Sequence, residues 1–124
     1  MSRKVLIADD EPSIVTAVEF LLRREGYDVQ IARDGGEALA LIESSPPDLV
    51  LLDVMMPQRS GYEVCRRIRE RDEWRHIKVI MLSAKGRDAE VSKGMALGAD
   101  AYVTKPFSTR DLMGRVKALL TEGA

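Results

Sequence analysis

Acidic, hydroxyl and ammonium side chains follow four short apolar runs of this sequence, each at the point where the run ends. The residues concerned are Asp9, Asp10, Glu11, Asp53, Ser83 and Lys105. If the runs are parallel strands, their carboxyl ends meet at one edge of a sheet, which is where open α/β sheets bind ligands. We therefore expect three aspartates, a hydroxyl group and an ammonium group to share one crevice.

Phosphoryl transfer is the chemistry that this set of residues favours. Three aspartates in one crevice repel each other, which raises their pKa values unless a cation binds there. An all-oxygen site that keeps some water favours Mg²⁺, and the same ion would neutralise a phosphoryl group. Lys105 would add a positive charge, Ser83 a hydrogen-bond donor, and the small Ala84 would leave space. Such a site stabilises a transferring phosphoryl group, with a carboxylate available as covalent acceptor.

Five apolar runs predict the strands that position these residues. They are Val5–Ala8, Val29–Ala32, Leu49–Leu52, Val79–Leu82 and Ala101–Val103. Three of the runs are continuous and rich in β-branched residues, as is typical of parallel strands buried on both faces. The second run alternates apolar and polar residues, which predicts an edge strand.

Segments with helical spacing of apolar residues lie between the runs. Pro12 opens the first segment and Gly26 closes it. Three further helix starts are predicted by capping pairs, namely Asp34 with Glu37, Ser60 with Glu63, and Ser108 with Asp111. The segment 88–97 has the weakest apolar stripe and stops at Gly98. Alternating strands and helices predict one α/β domain, a parallel sheet with helices on both faces.

Composition argues against a disordered, nucleic-acid-binding or membrane-spanning chain. The chain has 124 residues, 45% hydrophobic and 31% charged, which predicts a folded domain rather than disorder. Its 19 basic and 20 acidic residues give a net charge of −1, without the basic footprint of a nucleic-acid binder. No apolar run approaches the roughly 20 residues of a membrane span, and no secretory signal is visible. Together with the single cysteine, Cys65, these features predict a cytoplasmic domain.

The charged stretch from residue 66 to residue 75 resembles a nucleic-acid contact at first sight. Its arginines are interleaved with acids, which favours a solvated helix face instead. They are Arg66, Arg67, Arg69, Arg71 and Arg75. His76, the single histidine, is interpreted as a surface residue, and Trp74 as a loop residue that packs locally.

The motifs together resemble the receiver domain of two-component response regulators, over the segment from Lys4 to Leu120. They are Asp9-Asp10, Asp53–Gly61, Ser83-Ala84, Gly98–Asp100 and Tyr102–Phe107. The resemblance implies a flavodoxin-like fold with strand order 2-1-3-4-5. It implies a receiver over residues 1–124 without an effector domain, and a protein that catalyses only its own phosphorylation and dephosphorylation.

The resemblance also implies roles for the crevice residues. Asp53 would accept a phosphoryl group from the phosphohistidine of a histidine kinase or phosphotransfer protein. Asp10, Asp53 and the backbone carbonyl of Met55 would hold Mg²⁺, and Asp9 would act through water. Lys105 would contact the phosphoryl group.

The remaining implied roles concern the response to phosphorylation. Ser83 would move toward the phosphoryl group. Tyr102 would be an aromatic switch whose position changes the surface that a downstream effector domain or protein binds. A cis peptide bond is expected before Pro106.

Pairing between two copies is a further property of the resemblance. Receivers of winged-helix transcription regulators pair through ion pairs on the fourth helix, fifth strand and fifth helix. The sequence retains Asp100, Asp111, Arg115 and Lys117 there. Val91 and Ala101 stand where a basic and an acidic residue are expected, so we predict a monomer or a weak dimer.

Three other functions share parts of this pattern. A stand-alone Mg²⁺-dependent phosphohydrolase similar to the haloacid-dehalogenase family would need a second aspartate two residues after the nucleophile, where Met55 stands. A flavodoxin-like nucleotide carrier would need a phosphate-binding loop after the first strand, where the acids repel phosphate. A degenerate receiver scaffold would lack key residues, and this sequence has all of them.

Overall fold

Five parallel strands form a single sheet in a computed structural model, which describes residues 3–56, 60–84 and 88–122. The strands are β1 (Lys4–Ala8), β2 (Asp28–Ala32), β3 (Leu49–Asp53), β4 (Lys78–Ser83) and β5 (Ala101–Thr104). Their spatial order is β2-β1-β3-β4-β5, so the strand order implied by the family resemblance is confirmed. The predicted edge position of the second strand is confirmed as well.

Four helices connect successive strands and a fifth follows β5, and together they cover both faces of the sheet. They are α1 (Pro12–Arg24), α2 (Gly35–Ser44), α3 (Gly61–Glu70), α4 (Asp88–Ala96) and α5 (Thr109–Glu122). The helices of the described ranges are too short and too polar to traverse a lipid bilayer.

Two apolar layers hold the helices on the sheet. In β1, Leu6 and Ala8 face α2 and α3, whereas Val5 and Ile7 face α1 and α5. The same alternation runs through β3 and β4, whose residues are buried from end to end apart from the half-buried Lys78. Because both faces are covered, the central strands are apolar along most of their length, and the polar residues that end or follow them meet at one edge of the sheet.

The capping pairs begin their helices as predicted. The Asp34 side chain accepts a hydrogen bond from the Glu37 N–H at 2.8 Å, and Ser60 accepts one from the Glu63 N–H at 3.2 Å. Ser108 likewise accepts a hydrogen bond from the Asp111 N–H at 3.2 Å. These contacts satisfy N–H groups that have no partner within the first helical turn.

Trp74 corrects one sequence interpretation, because it is a core residue. It ends a 3₁₀ turn, Asp72–Trp74, that folds the indole back under α3. Only 6% of the residue is exposed, and it packs in the same apolar layer as Ile68 and Ile77. The guanidinium of Arg71 covers the ring, 4.4 Å from its centroid. His76 is exposed, as predicted.

Arg69 corrects a second interpretation, because it does not belong to a solvated helix face. It donates hydrogen bonds to the carbonyl oxygen of Ile77 at 2.7 Å and to that of Gly98 at 2.9 Å. It also pairs with the Asp100 carboxylate at 3.0 Å. We call these contacts the Arg69 clamp. They tie α3 to the segments that lead into β4 and β5.

Gly94 of α4 is expected to tolerate no side chain. A Cβ atom there would lie 2.9 Å from both the buried Met81 sulfur and the Tyr102 ring. We expect Gly94→Ala to lower the free energy of unfolding by about 1 kcal/mol, since overpacking exceeds the gain in helix propensity.

Gly114 of α5 provides the matched control for that substitution. A Cβ atom there would meet nothing within 4 Å. Gly114→Ala should therefore raise the free energy of unfolding by about 0.5–1 kcal/mol. Urea denaturation measures both variants, and equal effects in the two helices would contradict the predicted clash at Gly94.

Candidate functional site

The carboxyl edge of the sheet gathers the residues that the sequence singled out. Asp9 and Asp10 follow β1, Asp53 ends β3, Ser83 ends β4, and Lys105 follows β5. Carboxylate oxygens of the three aspartates all lie within 4.8 Å of one another. The predicted juxtaposition is therefore present, while the chemical roles of these residues stay predictions.

Lys105 places its ammonium group among the acids. The Nζ atom lies 2.8 Å from Glu11 Oε1, 3.2 Å from Asp9 Oδ2 and 3.5 Å from Asp53 Oδ2. Burial alone would lower the pKa of Lys105, but the carboxylates, Glu11 foremost, outweigh that effect and raise the pKa above its ordinary value. The lysine therefore stays protonated at the site. The Lys105–Pro106 peptide bond is cis, as expected.

Asp53 is buried at the centre of this edge, with 4% of the residue exposed. Its Oδ1 atom accepts a hydrogen bond from the Met55 N–H at 3.2 Å. Burial, reinforced by the charge of Asp9, raises the pKa of Asp53 to about 6, although Lys105 and the Met55 N–H act in the opposite direction. The carboxylate is thus ionised at neutral pH, but Lys105 and the Met55 N–H do not fully offset the cost of burying its charge beside Asp9.

Asp9 and Asp10 differ in exposure although they are adjacent. Asp9 is fully buried, and its Oδ1 atom accepts a hydrogen bond from the Glu11 N–H at 2.9 Å. Asp10 is exposed, so the cluster opens to solvent on its side.

The donor set of this cluster fits a hard divalent cation. It consists of carboxylate oxygens on the buried Asp9 and Asp53 and the exposed Asp10, and within the described part of the chain the Lys105 ammonium group lies beside them. Mg²⁺ prefers such oxygen ligands and retains water on its open side. Met55, the expected carbonyl ligand, lies beside the cluster, and 60% of the residue is exposed.

Ser83 and Lys105 are linked through their backbones. The Lys105 N–H donates to the Ser83 carbonyl oxygen at 2.7 Å, which continues the pairing of β4 with β5 past the last strand residue. Ser83 is fully buried. This hydrogen bond keeps the backbones of Ser83 and Lys105 adjacent at the carboxyl edge of the sheet.

Tyr102, the expected aromatic switch, is half-buried on β5 and packs on the apolar layer beneath α3 and α4. Its side chain is hydrogen-bonded to the hydroxyl of Tyr62, and burial together with this bond raises the pKa of Tyr62 to about 12. The Tyr62 hydroxyl also lies 3.3 Å from the Glu90 carbonyl oxygen, and Lys93 Nζ lies 4.5 Å from the centroid of the Tyr62 ring. Tyr102 thus connects β5 with α3 and α4.

Sequence reasoning missed two residues of this region. The sequence places Glu11 as an acid after the first strand, but it does not predict that Glu11 makes the shortest ion pair of Lys105. The local sequence around Tyr62 does not predict its hydrogen bond with Tyr102. The motif residues 57–59 lie outside the described residues.

Comparisons with known proteins agree with this geometry. A model of the response regulator receiver domain matches residues 5–117. The chain is similar to a solved CheY-like receiver domain protein from Methanospirillum hungatei, with 33% identity, coverage of 99% of this chain and 97% of that one, and a TM-score of 0.90.

Two further solved structures are similar over almost their whole length. The receiver domain of a Francisella response regulator has 34% identity, a TM-score of 0.92, and coverage of 99% of this chain and 100% of that one. The beryllium fluoride-activated DrrB receiver domain has 37% identity, a TM-score of 0.89, and coverage of 98% and 99%. With its fold, its acidic edge and a family match over residues 5–117, the chain belongs to the response regulator receiver domain family.

Proposed function

We propose that this receiver accepts a phosphoryl group on Asp53 from a histidine kinase or phosphotransfer protein, in a reaction that depends on Mg²⁺. One observation carries the proposal: the buried Asp53 carboxylate faces Lys105 at 3.5 Å and two further aspartates at the open carboxyl edge. The similar DrrB receiver was solved in a form activated with beryllium fluoride, which is consistent with such a site.

The chain's own residues perform the transfer by position and charge. A carboxylate oxygen of Asp53 attacks phosphorus, so that a P–O bond forms while the P–N bond to the donor imidazole breaks. Lys105 stabilises the negative charge on the phosphoryl oxygens, and Ser83 supplies a hydroxyl donor. Asp10, Asp53 and the Met55 carbonyl would hold Mg²⁺, with Asp9 acting through water. The bound ion would neutralise the carboxylates and the transferring group.

Intact-mass analysis with a small phosphodonor tests this function. With phosphoramidate or acetyl phosphate and Mg²⁺, we expect each chain to gain the mass of one phosphoryl group, which persists after the donor is removed. No gain without Mg²⁺ is expected. Rapid consumption of donor without accumulation on the protein would favour the phosphohydrolase alternative, and no reaction would favour the scaffold. The proposed domain is not a turnover enzyme, because the product of the reaction is the phosphorylated domain itself.

Mg²⁺ should bind weakly in the absence of phosphate, since few protein ligands are available. We expect Asp10→Ala to lose measurable Mg²⁺ binding and Asp9→Ala to lose part of it. Asp28→Ala, at the opposite end of the sheet, is the control and should bind like the parent. Calorimetric titration measures the affinity, and parental affinity in Asp10→Ala would place the metal elsewhere.

Phosphorylation is proposed to reach a partner through Ser83 and Tyr102. Tyr102 touches α4 at Gly94, so a shift of its ring would alter the surface formed by α4, β5 and α5. An effector domain or protein would bind this altered surface, with no direct contact of this domain to nucleic acid or membrane. The buried, reduced Cys65 supports a cytoplasmic location.

The domain is expected to be a monomer or a weak dimer. Asp100, which dimers of the winged-helix subgroup would use, already pairs with Arg69 and accepts a hydrogen bond from the Val79 N–H at 2.8 Å. Val91 and Ala101 offer no replacement charge. Sedimentation with and without beryllium fluoride measures the outcome, and a tight dimer on activation would contradict it.

A further inference from the structure

Glu11 lies at the rim of the acidic cluster and holds the ammonium group of Lys105. Its Oε1 atom is 2.8 Å from Nζ, closer than Asp9 at 3.2 Å or Asp53 at 3.5 Å. The Glu11 side chain is 53% exposed, whereas that of Lys105 is 10% exposed. The nearest partner of the lysine is therefore the most solvated of the three acids.

The backbone of Glu11 is fixed on both sides. Its N–H donates to Asp9 Oδ1 at 2.9 Å, and its carbonyl oxygen accepts hydrogen bonds from Ile14 and Val15 at 3.1 Å at the start of α1. Glu11 therefore presents its carboxylate from a rigid position, and only the side-chain torsions must be ordered to reach Lys105.

A phosphoryl group on Asp53 would compete with Glu11 for this ammonium group. The group carries more negative charge than the carboxylate it modifies, so Lys105 is expected to turn toward it. That movement lengthens or breaks the contact with Glu11, the shortest one in the unphosphorylated site. The ion pair therefore stabilises the unphosphorylated state relative to the phosphorylated one.

We propose that Glu11 is a positioning residue that draws Lys105 away from Asp53 and thereby slows phosphorylation. This inference rests on the function proposed above and adds a control to the same site. The Glu11 side chain contacts Lys105, so Glu11 acts through the lysine.

Glu11→Gln tests the inference because glutamine keeps the side-chain length and removes the charge. At saturating Mg²⁺, we expect phosphoramidate to phosphorylate this variant about threefold faster than the parent, as an ion pair with one exposed partner permits. Glu25→Gln, which makes the same charge change just past the far end of α1, is the control and should react at the parental rate. A parental or slower rate in Glu11→Gln would overturn the inference.

A second background separates action through Lys105 from a general field effect. In Lys105→Met, measured at raised phosphoramidate concentration, the additional Glu11→Gln change should not alter the rate. If the acceleration persists without the lysine, Glu11 acts by charge alone and the inference fails. A parent chain that takes up no phosphoryl group would instead refute the proposed function, so the two failures are distinguishable.

Discussion

Asp53→Asn is expected to take up no phosphoryl group and, at the same time, to be more stable than the parent in the absence of metal. The amide cannot form the acyl phosphate by attack of a carboxylate oxygen. Because burial and Asp9 raise the pKa of Asp53 to about 6, its ionisation at pH 7.5 disfavours the folded state. Removing that charge should raise the free energy of unfolding by at most about 3 kcal/mol, because a pKa raised from 3.8 to about 6, with the effect of Lys105 already included, corresponds to that energy at about 1.4 kcal/mol per pKa unit.

Two measurements on Asp53→Asn keep loss of chemistry separate from loss of structure. Intact-mass analysis follows phosphoryl incorporation, and thermal unfolding with and without Mg²⁺ follows stability. Mg²⁺ should raise the Tm of the parent more than that of the variant, because the variant lacks one of the proposed ligands. Asp28→Asn, an exposed acid of β2, should be phosphorylated normally. A phosphorylated Asp53→Asn protein would show that the acceptor is another residue.

Gly61→Ala is expected to damage the fold and the acceptor position together. A Cβ atom at Gly61 would overlap the carbonyl oxygen of Asp53 and would lie 2.9 Å from the Val54 Cα atom. These neighbours are backbone atoms, so no change of rotamer relieves the overlap. The Gly61 N–H also donates to the Val54 carbonyl oxygen at 2.9 Å, which holds the start of α3 against the end of β3.

The expected cost of Gly61→Ala is about 3 kcal/mol of unfolding free energy, at the upper end for overpacking of a buried site. Urea denaturation measures it, with the stabilising Gly114→Ala as the control for a glycine in open space. Phosphorylation of the folded fraction should also slow, because α3 cannot dock without displacing the backbone of Asp53. A variant as stable as the parent would show that α3 can shift without cost.

Most of the architecture could be predicted from local pattern. Continuous apolar runs, capping residues and helix stops depend on neighbours within four or five positions, and they were read correctly. The site followed from topology, since parallel strands deliver their last residues to one edge. Asp53 and Lys105 therefore came together without any knowledge of side-chain packing.

What could not be predicted depends on partners distant in the sequence. Arg69 contacts Asp100 across 31 positions, and Lys105 contacts Glu11 across 94. Nothing local distinguishes Arg69 from the exposed arginines around it. The burial of Trp74 is unpredictable for a related reason, since it depends on a 3₁₀ turn within a charged segment. A local sequence pattern predicts which face of a helix or strand a residue lies on. The partner of its hydrogen bond or ion pair is determined only by the folded chain.

The Arg69 clamp lies at the end of the sheet opposite the acidic cluster. It fastens the chain before β4 and before β5 to α3, and Asp48 similarly links the starts of β1 and β4 through hydrogen bonds with Lys4 and Lys78. At the opposite end, Lys105 forms ion pairs with Glu11, Asp9 and Asp53, and these would exchange partners in the proposed phosphorylation. The contacts at the amino ends of the strands are separate from those at the carboxyl edge. A rearrangement at the carboxyl edge is therefore expected to leave them intact and to cost little of the stability of the whole domain.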